Sequence, residues 1–253
     1  MKNNTETRLG SKQWIDQMDI DSSITLMLNN QKEAFHAVKK SLPNIKNAIE
    51  KISQRLSKSR NGRIVYVGAG TSARIGVQDG AELLPTFEWP RNRVEFVIAG
   101  GKDSLIQSKE NAEDSHEDVL NQFSQININK HDCLLSISAS GETLFTCSAI
   151  IEAKKKGCLT IGIGNNANST ILKNSDCPIL LKTGSEVVAG STRLKAGTAQ
   201  KICLNIISTQ VMTNLGNVKN GMMVNMKPRN KKLRQRKKNI YKILENDQKL
   251  LND

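Results

Sequence analysis

Aromatic residues are scarce in this sequence: five Phe, two Tyr and two Trp make up 4% of 253 positions. A core with so few rings must be filled by Ile, Leu, Val and Ala. That fits a parallel sheet buried on both faces and argues against an aromatic-rich β-sandwich. Long apolar runs are lacking too. None approaches the roughly 20 residues needed to cross a bilayer, so no membrane partner is expected. The five cysteines, at positions 133, 147, 158, 177 and 203, form no CxxC pair, and there are only three histidines. This excludes a disulfide scaffold and leaves no zinc-ligand pattern. The polar opening MKNNTETRLG has none of the apolar stretch of a secretory leader. Together these absences predict a reduced, soluble, cytoplasmic protein.

Positive charge is in excess, with 37 Lys and Arg against 24 Asp and Glu, a net +13. A uniform excess of this size would suggest a nucleic-acid partner, but the charge is not uniform. Residues 219–253 carry 11 Lys or Arg against three acidic residues, +8, whereas residues 1–218 carry 26 against 21, +5. The basic stretch lacks a run of interleaved aromatics and any recognisable binding motif. It reads as a solvated helix, and no nucleic-acid partner is expected.

Three regions follow from the patterning. Residues 1–57 comprise a polar arm and helices, with apolar positions from Ile24 to Leu56 recurring at three or four residues and interrupted near Pro43. Residues 58–218 alternate short apolar runs with helical stretches. The runs are Arg63 to Val67, Val94 to Ala99, Asp132 to Ser136, Leu159 to Ile163 and Pro178 to Leu181. Helices are expected over Ser72 to Leu84, roughly Asp103 to Phe123, Glu142 to Lys156, Ser169 to Asn174 and Thr192 to about Leu215. This is the pattern of an α/β fold, an open five-stranded parallel sheet with helices on both faces and right-handed crossovers. Residues 219–253 form a basic tail with a helix from about Lys231 to Leu251.

In such a sheet, ligands sit beyond the C-terminal strand ends, where helix N-termini point unpaired N–H groups outward. Two loops lie there: GAGTSAR, residues 68–74, and SISASGET, residues 136–143. Gly68, Gly70 and Gly141 allow close backbone approach. Thr71, Ser72, Ser138, Ser140 and Thr143 add uncharged hydroxyl donors. The combination suits a phosphate monoester. Two blander readings compete with it. GAGTSA also matches a loose dinucleotide fingerprint, but the second strand ends in Ile98, Ala99 and Gly100 without the required acid. Hydroxyls at these positions also serve as plain helix N-caps.

The wording SASGET and GTS resembles the sugar isomerase (SIS) domain family, whose loops bind phosphosugars. More closely, TETR (5–8), GTSARIGVQDGAELLPTF (70–87), VIAGG (97–101), ENAEDS (110–115) and GSTRLKAGTAQK (190–201) resemble the N-acetylmuramic acid 6-phosphate etherase family. The resemblance implies a homodimeric carbon–oxygen lyase of amino-sugar catabolism and peptidoglycan recycling. Its reaction is cleavage of the D-lactyl ether of N-acetylmuramic acid 6-phosphate to N-acetylglucosamine 6-phosphate and D-lactate, without a metal or redox cofactor. The implied route opens the sugar ring, removes the C2 proton, eliminates lactate from C3 and adds water back. The family's glutamates match Glu82 and Glu113. Glu82, flanked by Ala81, Leu83 and Leu84, is expected to be partly buried and to act as proton donor. Glu113 is then the base. Thr71, Ser72, Ser138, Ser140, Gly141, Thr143, Thr192 and Lys195 are the expected substrate-binding residues, with Arg193 beside the last two.

The sequence departs from that family at Glu142, where etherases usually carry Arg and where a carboxylate is expected to weaken attraction for an anionic substrate. Ala73 and Leu83 replace Gly and Cys, and etherases continue into a further small helical domain beyond the equivalent of Asp253. Two other readings remain at this point. One is a sugar-phosphate-sensing module without catalysis, resembling the glucokinase regulatory protein. The other is an aldose-ketose phosphosugar isomerase, which the SGET wording favours.

Overall fold

The computed structural model describes residues 4–10, 14–107, 109, 111–225, 227–228 and 231–250. Two helices, α1 (Ile20–Lys40) and α2 (Leu42–Lys58), precede the sheet. The carboxylate of Asp19 starts α1 by accepting from the Ser22 N–H (2.9 Å) and hydroxyl (2.7 Å). Pro43 sits in the first turn of α2, where a missing N–H costs nothing. It thus opens the second helix rather than interrupting one. Ile45, Ala48, Ile49, Ile52 and Leu56 then form a buried stripe at helical spacing.

The sheet contains β1 (Ile64–Gly68), β2 (Val94–Ile98), β3 (Cys133–Ser138), β4 (Leu159–Gly164) and β5 (Cys177–Leu180), all parallel in the order β2-β1-β3-β4-β5. Alternate residues feed two cores. Tyr66, Leu135, Ile161 and Ile179 face one side, whereas Val65, Val67 and Leu134 face the other. Burial on both sides is why these strands read as unbroken apolar runs. The first core is closed by α1, α2, α3 (Gly70–Ala81) and α8 (Lys195–Asn214); α8 packs against the other three. The second is closed by α5 (His116–Gln125), α6 (Leu144–Lys155) and α7 (Thr170–Asn174). Gly80 lets α3 sit close to the sheet, since a Cβ there would lie 2.7 Å from both the Tyr66 and Phe96 rings.

Three expectations are corrected. The helix expected to run to Leu84 stops at Ala81, and α4 (Leu83–Phe87) follows as a separate turn. Pro85 is the reason: continuing α3 would set its ring against the carbonyl of residue 81. The helix expected from Asp103 is instead a 3-10 turn (Lys102–Leu105), a loop and a second 3-10 turn (Ala112–Asp114) before α5. Asn111 is left-handed (φ 59°), and Ser115 caps α5 by accepting from the Asp118 N–H at 3.1 Å. The long helix begins at Lys195 rather than Thr192.

After α8 come a two-stranded antiparallel ribbon, β6 (Val218–Lys219) and β7 (Met222–Met223), and α9 (Lys231–Leu250). The expected final position of that helix, Leu251, lies outside the described residues. All five cysteines are buried as free thiols. Burial pushes the Cys147 thiol up to about 11 and Cys158 up to about 12, and raises Cys133, Cys177 and Cys203 as well. Among the described residues no helix is long and apolar enough to cross a membrane.

Candidate active site

The C-terminal ends of β1 and β3 turn directly into α3 and α6. Gly68 makes the first turn tight, because a Cβ there would meet the Ala73 nitrogen at 2.8 Å. Gly141 makes the second, at φ 72°, with its N–H donating to Ser138 Oγ at 3.0 Å. The result is a pocket of about 360 Å³ at the strand ends. Thr71, Ser72, Glu113, Ser138, Ser140, Thr143 and Thr192 line it. A larger groove of about 1060 Å³ lies elsewhere, between α2 and α8, with Leu42, Ile45, Ile49 and Ile202 in its walls. It is predominantly apolar and lacks the clustered hydroxyls of the smaller pocket.

The hydroxyls of Ser138, Ser140 and Thr143 form a triangle with sides of 3.3, 3.2 and 3.4 Å. Ser138 and Ser140 oxygens accept the loop N–H groups of Gly141 and Glu142, and the hydrogens that the three hydroxyls share among themselves can turn toward a ligand. The capping-only reading fails on direct geometry. Neither α3 nor α6 receives a side-chain cap, in contrast to α1 and α5. Their first-turn N–H groups are therefore left for an anion.

Ser72 lines the pocket and also makes a contact into the interior. Its hydroxyl donates to the buried Gln200 at 2.9 Å, and Gln200 donates to Asn165 at 3.0 Å. Asn165 in turn donates its N–H to the Ala139 carbonyl at 3.1 Å. This chain ties the α3 loop to the α6 loop through the interior.

Glu113 sits on the second 3-10 turn, and a Cβ on Gly70 would lie 3.4 Å from its Oε1. Its backbone is held away from α5, so it is not one of that helix's charged face. Glu82 is placed differently. It is the exposed C-cap of α3 and does not line the pocket; at 1.5 Å per residue, the helix separates it from Gly70 by about 18 Å. The expected partial burial of Glu82 is therefore not found in the single chain, because Leu83 turns inward while Glu82 turns out.

Lys195 also lies outside the pocket lining. Glu186, fully buried, caps α8 by accepting from the Lys195 N–H (3.3 Å) and the Ala196 N–H (2.9 Å). Burial lowers the Lys195 ammonium pKa, opposed by Glu186 and Glu33; burial raises Glu186, opposed by the two N–H bonds and Lys195. Arg193 is exposed.

Glu142 does not face the pocket. Its carboxylate accepts from the Thr170 N–H (3.0 Å) and hydroxyl (2.6 Å), capping α7 in place of Ser169. The carboxylate that stands where etherases usually carry Arg is thus engaged in holding the start of α7.

Sequence reasoning missed Glu6, Arg74 and Gly190 in the pocket lining. Arg74 is held by the carbonyls of Leu105 (2.7 Å) and Ser104 (3.1 Å). The TETR motif was a usable signal for Glu6, but without the fold it had no spatial meaning.

Comparison with known proteins places this geometry. Residues 44–154 match the glucokinase regulatory protein N-terminal SIS domain, and residues 105–208 match the SIS domain. An N-acetylmuramic acid 6-phosphate etherase of Deinococcus radiodurans is 40% identical over 226 residues, covering 89% of this chain and 73% of the relative. One from Lactococcus lactis subsp. lactis is 42% identical over 236 residues, covering 93% and 79%. A phosphoheptose isomerase structure from Francisella tularensis aligns with a TM-score of 0.59 at 17% identity, covering 78% of this chain and all of that one, a likeness of fold alone. With the etherase likeness running through the whole sheet and both ligand loops, the chain belongs to the N-acetylmuramic acid 6-phosphate etherase family.

Proposed function

We propose that this chain is a carbon–oxygen lyase that cleaves the D-lactyl ether of N-acetylmuramic acid 6-phosphate, yielding N-acetylglucosamine 6-phosphate and D-lactate. The observation that carries the reading is the hydroxyl triangle of Ser138, Ser140 and Thr143 beside two uncapped helix N-termini, with the Glu113 carboxylate in the same pocket. The triangle and helix ends take the phosphate. Thr71 and Thr192 line the same space, and Ser72 and Gly141 hold the loops in shape. In the ring-opened sugar the C1 aldehyde acidifies the C2 proton, and Glu113 removes it. Electrons move to expel the lactyl oxygen from C3, and water then adds across the resulting double bond. The departing oxygen needs a proton. The donor role that the family resemblance gives Glu82 requires the α3 end of a second copy to reach this pocket, because its own pocket lies a helix length away. The reading therefore includes a homodimer, and sedimentation should give twice the 28.0 kDa of one chain. Lys195 supports the site from behind by anchoring α8. A cytoplasmic location fits the recycling of a phosphorylated sugar.

The match of residues 44–154 to a regulatory-protein domain favours a second reading, a phosphosugar sensor without catalysis. One experiment separates the two. Incubation with N-acetylmuramic acid 6-phosphate in deuterated water should release D-lactate and place deuterium at C2 of the product. Tight phosphosugar binding without lactate would favour the sensor. Lack of both would overturn the phosphosugar reading.

A further inference from the structure

We infer that Glu6 is a substrate-contacting residue whose carboxylate accepts hydrogen bonds from hydroxyl groups of the bound sugar, and that the docked N-terminal arm is a wall of the site. The inference rests on the phosphosugar reading above, and extends it to a residue 62 positions upstream of the first phosphate loop in the sequence.

The arm is anchored on both sides of Glu6. Thr5 is fully buried. Its N–H donates to Asn166 Oδ1 (3.3 Å), and Asn166 Nδ2 donates back to Thr5 Oγ1 (3.0 Å). The same Nδ2 reaches the carbonyls of Ala139 (3.1 Å) and Ser140 (3.4 Å), so one buried amide holds both the arm and the hydroxyl loop. The Gly190 N–H donates to the Thr5 carbonyl at 3.0 Å, and the Thr7 hydroxyl meets that of Ser185. Between these ties Glu6 projects into the pocket lining.

Space has been cleared for it. Gly190 is left-handed (φ 76°), and a Cβ there would sit 2.9 Å from Glu6 Oε2. Glu113 stands in the same relation to Gly70 (φ 52°). Both pocket carboxylates thus lie against a left-handed glycine that also lines the pocket. The Glu6 carboxylate has no hydrogen-bond or ion-pair partner among the described residues. It is therefore not there to hold the arm down.

Electrostatics assigns its role. A carboxylate in a phosphate pocket repels the phosphate, so it gains nothing from that end of the ligand. It is an acceptor only, and the neutral sugar hydroxyls are donors. Serine and threonine hydroxyls with helix N-termini draw the phosphate, while Glu6 and Glu113 draw the hydroxyl-bearing ring and push anionic groups away. The pocket thereby sets the direction in which a phosphosugar enters.

The test separates sugar contact from phosphate contact. Product N-acetylglucosamine 6-phosphate and inorganic phosphate are titrated into the full-length protein and its Glu6→Ala and Glu6→Gln variants. Loss of a charge-assisted bond predicts a roughly ten- to hundredfold weaker Kd for the phosphosugar in Glu6→Ala. Glu6→Gln, which keeps an acceptor oxygen, should lose less, and phosphate affinity should be unchanged or slightly stronger in both. Thermal melts check that the exposed substitution leaves the fold intact. Equal phosphosugar affinity in wild type and Glu6→Ala overturns the inference while leaving the etherase reading standing, as does a parallel loss of phosphate affinity. A wild-type protein that binds phosphate but no phosphosugar overturns both.

Discussion

Replacing Gly141 with Ala puts a single methyl group where the ligand loop has least room. The backbone there is left-handed at φ 72°, which costs an L-residue about 1–2 kcal/mol. The new Cβ would lie 2.3 Å from Ser169 Oγ, 2.5 Å from Ser169 Cβ and 2.9 Å from Ile171 Cγ2. Both neighbours are buried at the head of α7, so displacing them adds about 1–3 kcal/mol of overpacking. The total loss is about 2–5 kcal/mol, or a fall of roughly 4–20 °C in Tm for a protein of this size. Gly184→Ala supplies the control, since Gly184 is equally left-handed (φ 74°) with nothing within 4 Å of its Cβ. It should show the backbone cost alone. Calorimetry and urea unfolding of both variants, with titration of N-acetylglucosamine 6-phosphate, measure the difference. Gly141→Ala should also lose ligand affinity, because the N–H that orients Ser138 moves with the loop. Equal destabilisation of the two variants, with ligand binding intact in both, would refute the packing argument.

Glu113→Gln should reduce lactate release by about 10²- to 10⁴-fold and abolish deuterium entry at C2, whereas a proton donor at Glu82 predicts that Glu82→Gln slows lactate release while exchange continues. Measuring both readouts on both variants separates base from acid. Ser140→Ala should weaken inorganic phosphate and phosphosugar alike, by about 1.5–3 kcal/mol, in contrast to changes at Glu6. Asp176 carries a pH dependence. Burial pushes its carboxyl up, but the Thr160 N–H and hydroxyl and the Lys154 ammonium outweigh this and hold it below its usual range. A depressed folded-state pKa stabilises above the unfolded value of about 3.9 and loses that stabilisation as pH falls through the folded value. Asp176→Asn should therefore lower urea stability at neutral pH by about 1–2 kcal/mol, with the gap closing as pH falls through the folded value.

The strands were legible because residues such as Leu134 and Leu135 serve opposite cores and both must be apolar. Their ends were less so: Gly68, Ser138 and Gly164 belong to the ladder by hydrogen bonding although their side chains carry no strand signal. The helix expected from Asp103 starts too early: Val119 and Phe123 are a true helical stripe within α5, and the Ser115 cap is the signal that the helix begins there. Glu113 is legible as a candidate base only through the family resemblance, since its place on a 3-10 turn rather than a helix follows from no local pattern. The hydroxyl loop was legible since Ser, Thr and Gly concentrate there at a strand-to-helix junction. Glu6 was not, because Thr5 and Asn166 are 161 positions apart and only the closed fold makes them neighbours. Glu142 was judged by its charge. Its direction depends on where α7 starts, which no local pattern discloses.

The five buried thiols make the protein its own reporter of opening. With Cys133 in β3, Cys147 in α6, Cys158 ahead of β4, Cys177 in β5 and Cys203 in α8, nearly every structural layer carries one label site. Because only the thiolate reacts and burial disfavours it, each site is silent until its own element detaches. A thiol reagent followed by peptide mass spectrometry would then read a ladder of local stabilities from unmodified protein. Cys177, on the edge strand, should be alkylated ahead of Cys203 at the centre of the helical layer. Saturating phosphosugar should slow Cys147 selectively, because its Sγ lies 3.5 Å from the carbonyl of Gly141 and shares the fate of the loop that holds the ligand.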